Sequence, residues 1–297
     1  MALIELTDVS KLYGFGDATS VALEEVSLTI DQGEMVAVMG ASGCGKSTLM
    51  NVIGLLDHPT SGDYVINGRQ SSRLRHMQRA KIRRDKIGFI FQSFNLLPRL
   101  TAVENVALPL LYRGMTTRRR TTRALDMLER VGLHNRSHYY PRQLSGGQIQ
   151  CVAIARALVN DPEIIIADEP TGNLDTESSR LVMELLAEIH KSGNTVIFVT
   201  HNPELTRYAS RVIYMQDGMI RHDERKAIGQ LGQHARTVMY GEPEPHDEDD
   251  LKAVSALMTA RDDEAIDTDK PAATKKKRAI AKPKAPKKPR TKRKKRS

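Results

Sequence analysis

Tryptophan is absent from this 297-residue chain, aromatic residues of all kinds make up 4%, and there are only two cysteines, Cys44 and Cys151. Two cysteines so far apart build neither a disulfide framework nor a metal cluster, and a reducing compartment suits them. No run approaches the ~18 consecutive apolar residues that a membrane-spanning helix needs. The stretch Met1–Leu6 shows no basic region leading into an apolar one, so neither a membrane span nor a secretory signal is expected. Internal repeats are also lacking. What the chain does have is 40% apolar residues, enough for a packed core in one large domain or two modest ones.

Acidic residues are missing from one region and crowded into another. Lys270–Ser297 holds fifteen Lys and Arg and no acid, a charge of +15. Glu242–Asp269 holds eleven acids against Lys252 and Arg261, a charge of −9. The net charge of +9 therefore leaves +3 for residues 1–241, so the high isoelectric point belongs to the tail and says nothing about the main domain's ligand. The tail offers too little apolar surface to offset the entropy of ordering, and disorder is expected over 270–297. Residues 226–269 read as an acidic linker, with a short helix around 251–260. The folded domain is expected to cover 1–225.

Glu34–Met39 is a short apolar run with β character. It leads into Gly40-Ala41-Ser42-Gly43-Cys44-Gly45-Lys46-Ser47 and then into helix-forming residues from Thr48 to Ile53. Strand, glycine-rich loop and helix in that order are the context of a Walker A phosphate loop. Glycines let successive N–H groups curl around phosphate oxygens, and the helix N-terminus adds a favourable dipole. Lys46 would reach the β- and γ-phosphates and the Ser47 hydroxyl would ligate Mg²⁺. A chance match to the loop pattern arises in roughly one chain in a hundred at ordinary glycine content.

Three further segments fit around such a loop. Leu144-Ser145-Gly146-Gly147-Gln148 precedes a good helix, with Ser145 at the N-cap, giving either an ordinary helix start or a second anion site. Ile164–Ala167 is an apolar strand ending in Asp168 and Glu169, either a capped strand end or a pair in which Asp168 holds Mg²⁺ and Glu169 orients or deprotonates a water. Asn194–Val199 is a second such strand, ending near His201. It follows the first by one crossover helix, Thr176–Lys191, which places His201 on the same edge of a sheet.

In this order the four motifs resemble the ATP-binding cassette (ABC) ATPases over residues 1–225. The resemblance implies an α/β fold: a P-loop NTPase cassette with a RecA-like mixed-sheet core, an antiparallel β subdomain and a helical subdomain at about 93–160. It also assigns roles. Tyr13 resembles the aromatic that stacks on adenine, Gln92 the Q-loop glutamine that ligates Mg²⁺, and Asp175 the D-loop aspartate. The implied nucleotide contacts are Tyr13, Gly40, Ala41, Ser42, Gly43, Cys44, Gly45, Lys46, Ser47, Thr48, Gln92, Asp175 and, from a second copy, Ser145, Gly146, Gly147 and Gln148. The implied metal ligands are Ser47, Gln92 and Asp168. Glu169 would activate water, and His201 would fix the γ-phosphate geometry.

The stretches Ala167–Asp175 and Met39–Gly62 narrow the resemblance to the ATPases of MacB-, LolD- and FtsE-like systems. That branch implies ATP and Mg²⁺ as cofactors and a homodimer closing head to tail around ATP. It further implies a membrane permease docking near 93–143, with the chain at the cytoplasmic face of the cell membrane, driving export or mechanotransmission. Ile149 and Cys151 depart from the Gln and Arg usual after the signature, which bears on packing of that helix rather than on a phosphate contact. A repair-type nucleic-acid ATPase would need a long heptad-rich insertion between Walker A and the signature, and none is visible. A translation-type protein would need two cassettes, and a simple P-loop kinase would lack the signature. The basic tail leaves a soluble nucleic-acid ATPase as the alternative. It equally suits an anionic membrane or the acidic linker.

Overall fold

Four strands made almost wholly of apolar residues sit at the centre of the fold: β3 (Met35–Met39), β7 (Ile164–Asp168), β8 (Thr195–Val199) and β9 (Arg211–Gln216). Such uniform composition is what a parallel strand covered on both faces requires. Their side chains alternate between two cores. Met35, Ala37, Met39, Ile165, Ala167, Val196 and Phe198 enter one, while Val36, Val38, Ile164, Ile166, Ile197 and Val199 enter the other. The structure, a computed structural model, describes residues 2–14 and 19–225. The expected linker at 226–269, its helix near 251–260 and the basic tail at 270–297 lie outside the described residues.

The larger sheet has six strands in the order β10-β9-β3-β8-β7-β6, where β6 is Ile87–Phe91 and β10 is Met219–Arg225. Only the β9–β10 pair is antiparallel. Over one face lie the helices α3 (Ala102–Leu111), α4 (Thr117–Arg130), α5 (Gly146–Leu158) and α6 (Thr176–Lys191), which supply much of the first core. The second core joins the other face to α1 (Lys46–Ile53) and to an antiparallel sheet. That sheet has the order β2-β1-β4-β5, formed by β1 (Ala2–Tyr13), β2 (Ser20–Asp31), β4 (Ser61–Ile66) and β5 (Arg69–Gln70). The remaining helix, α2 (His76–Lys86), buries none of its residues. It is tied down by its arginines, for example Arg83 donating to the Leu55 carbonyl at 2.8 Å.

The expected architecture of a mixed-sheet core, an antiparallel sheet and a helical layer is the one observed. A buried ionic knot fixes the far edge. Arg211, with its side chain 5% exposed, forks onto Asp223 at 2.7 and 2.6 Å and also reaches Glu34 at 2.9 Å and the Thr29 carbonyl at 2.6 Å. One guanidinium thereby joins β2, β9, β10 and the turn before β3.

Candidate functional site

Register places the site. Val38 pairs with Val199, Val199 with Asp168, and Asp168 with Phe91, so the C-terminal ends of β3, β8, β7 and β6 lie in one line. Neighbouring strands stand about 4.8 Å apart. The residues that follow these ends, Gly40, Thr200, Glu169 and Gln92, therefore leave the sheet along one edge, where ligands bind in open α/β sheets.

The glycine-rich loop follows β3. A Cβ on Gly40 would collide with the Met215 carbonyl of β9, and one on Gly45 with the Ala22 carbonyl of β2. Neighbouring strands thus demand two of the loop's glycines, whatever the ligand requires. Gly45 is left-handed at φ 99° and precedes α1 without any side-chain cap. The first-turn amides of α1, with no intrahelical acceptor, are available to an anion. Lys46 Nζ, largely buried, folds back onto the loop and donates to the Gly40 carbonyl at 2.9 Å and the Ala41 carbonyl at 2.7 Å. Ala41, Ser42, Gly43 and Ser47 are exposed, whereas Cys44 is buried with its Sγ 3.8 Å from Lys46 Nζ. Tyr13, at the end of β1, donates its hydroxyl to Asp57 at 2.9 Å and has Lys11 Nζ 4.9 Å from its ring centre.

Two carboxylates stand at the end of β7. Burial holds the Asp168 carboxyl above its usual range, and the neighbouring Glu169 charge adds to this; a hydrogen bond from Ser47 and the Lys46 ammonium oppose it. Glu169 has a left-handed backbone at φ 43°, and its Oε1 lies 3.2 Å from His201 Nδ1. Gly172 closes the group, since a Cβ there would lie 2.7 Å from Gln92 Nε2 and 3.1 Å from Glu169 Oε2. Asn173 Nδ2 donates to the Gln92 carbonyl at 3.1 Å. An open cleft of about 660 Å³ adjoins them, lined among others by Glu169, Leu174, Glu177, His201 and Arg207. Lys46, Ser47, Gln92, Asp168, Glu169 and His201 thus share one end of the sheet.

Ser145 caps α5 reciprocally. Its hydroxyl accepts from Gln148 N at 3.3 Å, and Gln148 Oε1 accepts from Ser145 N at 3.1 Å. The adjacent glycines serve packing within the chain as well as access. A Cβ on Gly147 would lie 2.8 Å from Ser178 Oγ, and one on Gly146 would lie 3.3 Å from Leu174. Asp175 caps α6 through Ser178 N at 2.9 Å and Ser178 Oγ at 2.7 Å, bonds that hold its carboxyl below the usual range. Among the described residues no hydrogen bond joins the Ser145–Gln148 turn to the phosphate loop. Ile149 and Cys151, the two departures noted above, are half-buried against the helical core, and burial pushes the Cys151 thiol up to about 11.

The apolar pattern of α3 is mostly core, with Val103, Val106 and Leu110 buried. Its outer side, with Leu108 and Pro109, borders an open groove of about 520 Å³ that Leu56, Phe89, Tyr112 and Arg156 also line. Tyr112 is 70% exposed. Much of the groove comes from β6, α2 and the turn after α1, which the sequence pattern alone does not connect to 93–143. Among the described residues no helix is long and apolar enough to cross a membrane.

A phosphate loop at the end of a central parallel strand, with a carboxylate pair two strands away, defines a P-loop nucleoside-triphosphatase. The ABC transporter family model matches residues 23–172. An uncharacterized ABC transporter ATP-binding protein of Thermotoga maritima is 49% identical over 76% of this chain and 97% of its own length. The macrolide export ATP-binding/permease protein MacB of Burkholderia pseudomallei is 50% identical over 74% of this chain, which spans 34% of that larger protein. Among solved structures, the ATP-binding cassette MJ0796, determined as a dimer in a post-hydrolysis state bound to ADP and Pi, superposes with a TM-score of 0.70. It is 45% identical, with 75% of this chain and 98% of that one covered. The chain belongs to the ABC transporter family and is one of its MacB-like ATPases.

Proposed function

We propose that two copies of this chain close head to tail around ATP and drive a membrane-embedded partner, in export or in mechanical signalling of the MacB and LolD kind. The observation that carries the reading is the single register line that gathers Lys46, Gln92, Asp168, Glu169 and His201 at one edge. Among the described residues no hydrogen bond ties the helix start at Ser145–Gln148 to the phosphate loop, and its capped N-terminus suits the γ-phosphate of a facing copy. MacB proteins that carry cassette and permease together, and the dimeric MJ0796 cassette, support the same arrangement.

In this reading the loop amides from Gly40 to Thr48 and the start of α1 cradle the phosphates, and Lys46 exchanges its two loop carbonyls for phosphate oxygens. Tyr13 stacks on the base. A hydroxyl, a side-chain amide and a half-buried carboxylate suit a hard divalent cation that draws its other ligands from phosphate and water. Ser47, Gln92 and Asp168 are thus the residues that would hold Mg²⁺, whose chemistry is to neutralise charge on the β- and γ-phosphates. Glu169 accepts a proton from the attacking water. His201, beside it, orients the γ-phosphate, and Asp175 lines the face toward the second copy. Loss of the γ-phosphate removes the contacts that hold the copies together, so the hydrolysis cycle biases a two-state element.

The apolar groove beside Pro109 and Tyr112 receives the membrane partner, which places the chain at the inner face of the cell membrane. Residues 1–225 form the ATPase domain, and 226–297 are an appended linker and tail.

The test is Glu169→Gln. Turnover falls by about a hundredfold or more while ATP binding persists, and ATP-bound dimers accumulate in size-exclusion chromatography with light scattering. A monomer at saturating ATP rejects the sandwich.

A further inference from the structure

Two turns at the site hold non-glycine residues in left-handed backbone: Glu169 at φ 43°, and the consecutive pair Phe94 at φ 60° and Asn95 at φ 49°, just beyond Gln92. This conformation is costly for residues with a Cβ such as Glu169 and Phe94, less so for asparagine, and two such residues in a row persist only where surrounding structure enforces them. In both cases the grip comes from α5. Gln150, fully buried, donates Nε2 to the carbonyl of Pro170, the residue after Glu169, at 2.6 Å. Arg156 forks onto the other turn, Nη1 to the Asn95 carbonyl at 2.5 Å and Nη2 to the Phe94 carbonyl at 2.8 Å. The same helix begins at the Ser145 cap.

Packing alone does not call for either residue. Gln150 sits in an otherwise apolar stretch of the helix, and its Oε1 is buried without a partner among the described residues. A leucine would fill the space without orphaning an oxygen, so what glutamine adds is the donor to Pro170. Arg156 offers a planar fork that matches two adjacent carbonyls, which a lysine ammonium does not.

We propose that Gln150 and Arg156 are positioning residues through which α5 holds the strained turns carrying Glu169 and Gln92. Displacement of the Ser145 end by a second copy then reaches both turns along one rigid helix. This rests on the reading of Glu169 and Ser145 given above. A helix rises only 1.5 Å per residue, so a tilt of α5 acts on both turns together.

The experiment is steady-state ATPase on the full chain carrying Arg156→Lys or Gln150→Met. Each lowers kcat by about tenfold while KM for ATP stays within about twofold, because the phosphate loop is untouched and only reacting geometry is lost. Adding Asn95→Gly to Arg156→Lys recovers most of the lost kcat, since glycine adopts left-handed backbone without a Cβ penalty. Wild-type kcat in both single variants overturns the proposal. So does a parallel loss of kcat, KM and melting temperature that Asn95→Gly does not relieve, which marks a purely structural role. Should Arg156→Lys fail to fold, Gln150→Met decides. If Glu169→Gln traps dimers while Gln150→Met and Arg156→Lys turn over normally, the positioning role falls and the reading of the site stands. If Glu169→Gln traps nothing, the reading itself falls.

Discussion

At the scale of residues, charge is settled by very local geometry. Lys46 satisfies its ammonium on two carbonyls of its own loop, so the cation is kept paired and already close to where an anion would sit. Asp85 shows the same economy away from the site. The Arg84 guanidinium beside it, helped by Arg113, holds its carboxyl down at about 2, against an ordinary value of 3.8. A folded value below the unfolded one stabilises the protein at neutral pH, and that stabilisation disappears as pH falls from about 5 toward 2. Asp85→Asn is expected to cost about 1 kcal/mol at pH 7, in the range of half-exposed ion pairs. The difference in urea midpoint between the variant and the parent narrows as the pH is lowered through that window. A difference that stays constant with pH removes the ion pair as the cause.

At the scale of elements, helix and strand assignments follow from short patterns. Thr101 and Glu104 form a capping box at the start of α3, and Asp175 caps α6. The strand ends at Asp168 and Val199, and the N-cap at Ser145, are readable in the sequence because an apolar run or a periodic stretch stops there. The closeness of α5 to α6 is not readable. Gly147 reads in the sequence as an access residue for a ligand, and the structure adds that it lets Ser178 approach. Gly147→Ala therefore overpacks this contact, costing about 1–2 kcal/mol. A lower melting temperature, by roughly 2–8 °C for a domain of this size, is the result a thermal scan should give. An unchanged melting temperature would mean that the two helices are not packed so tightly. In the sequence Gln150 and Arg156 look like ordinary helix formers; only their partners, carbonyls far away along the chain, distinguish them.

At the scale of the whole molecule, two cores share one six-stranded sheet, and the candidate site lies where its parallel strands end. The charge is arranged separately, with +15 concentrated in residues 270–297. Every candidate site residue lies between Tyr13 and His201. Removing 270–297 is thus expected to leave basal ATPase of the purified protein within about twofold of the full chain, because none of those residues is a candidate for binding or chemistry. A collapse of turnover in a phosphate-release assay would make the tail part of the catalytic unit.

The order of the phosphate loop, the Leu-Ser-Gly-Gly-Gln turn, the Asp–Glu strand end and His201 along the chain was enough to define the family, the fold class and the chemistry. Each of these signals is local: a glycine pattern, a cap, an apolar run that ends in an acid. Which residues meet across the fold was decided by tertiary structure. The pairing of Phe91 with Asp168 and of Asp168 with Val199 brings Gln92, Glu169 and His201 together. The packing of α5 places two polar side chains on strained turns 20 residues downstream and about 61 residues upstream. Strand register and helix docking arise from burying both faces of a sheet at once, a constraint on the whole chain that no single stretch of it contains.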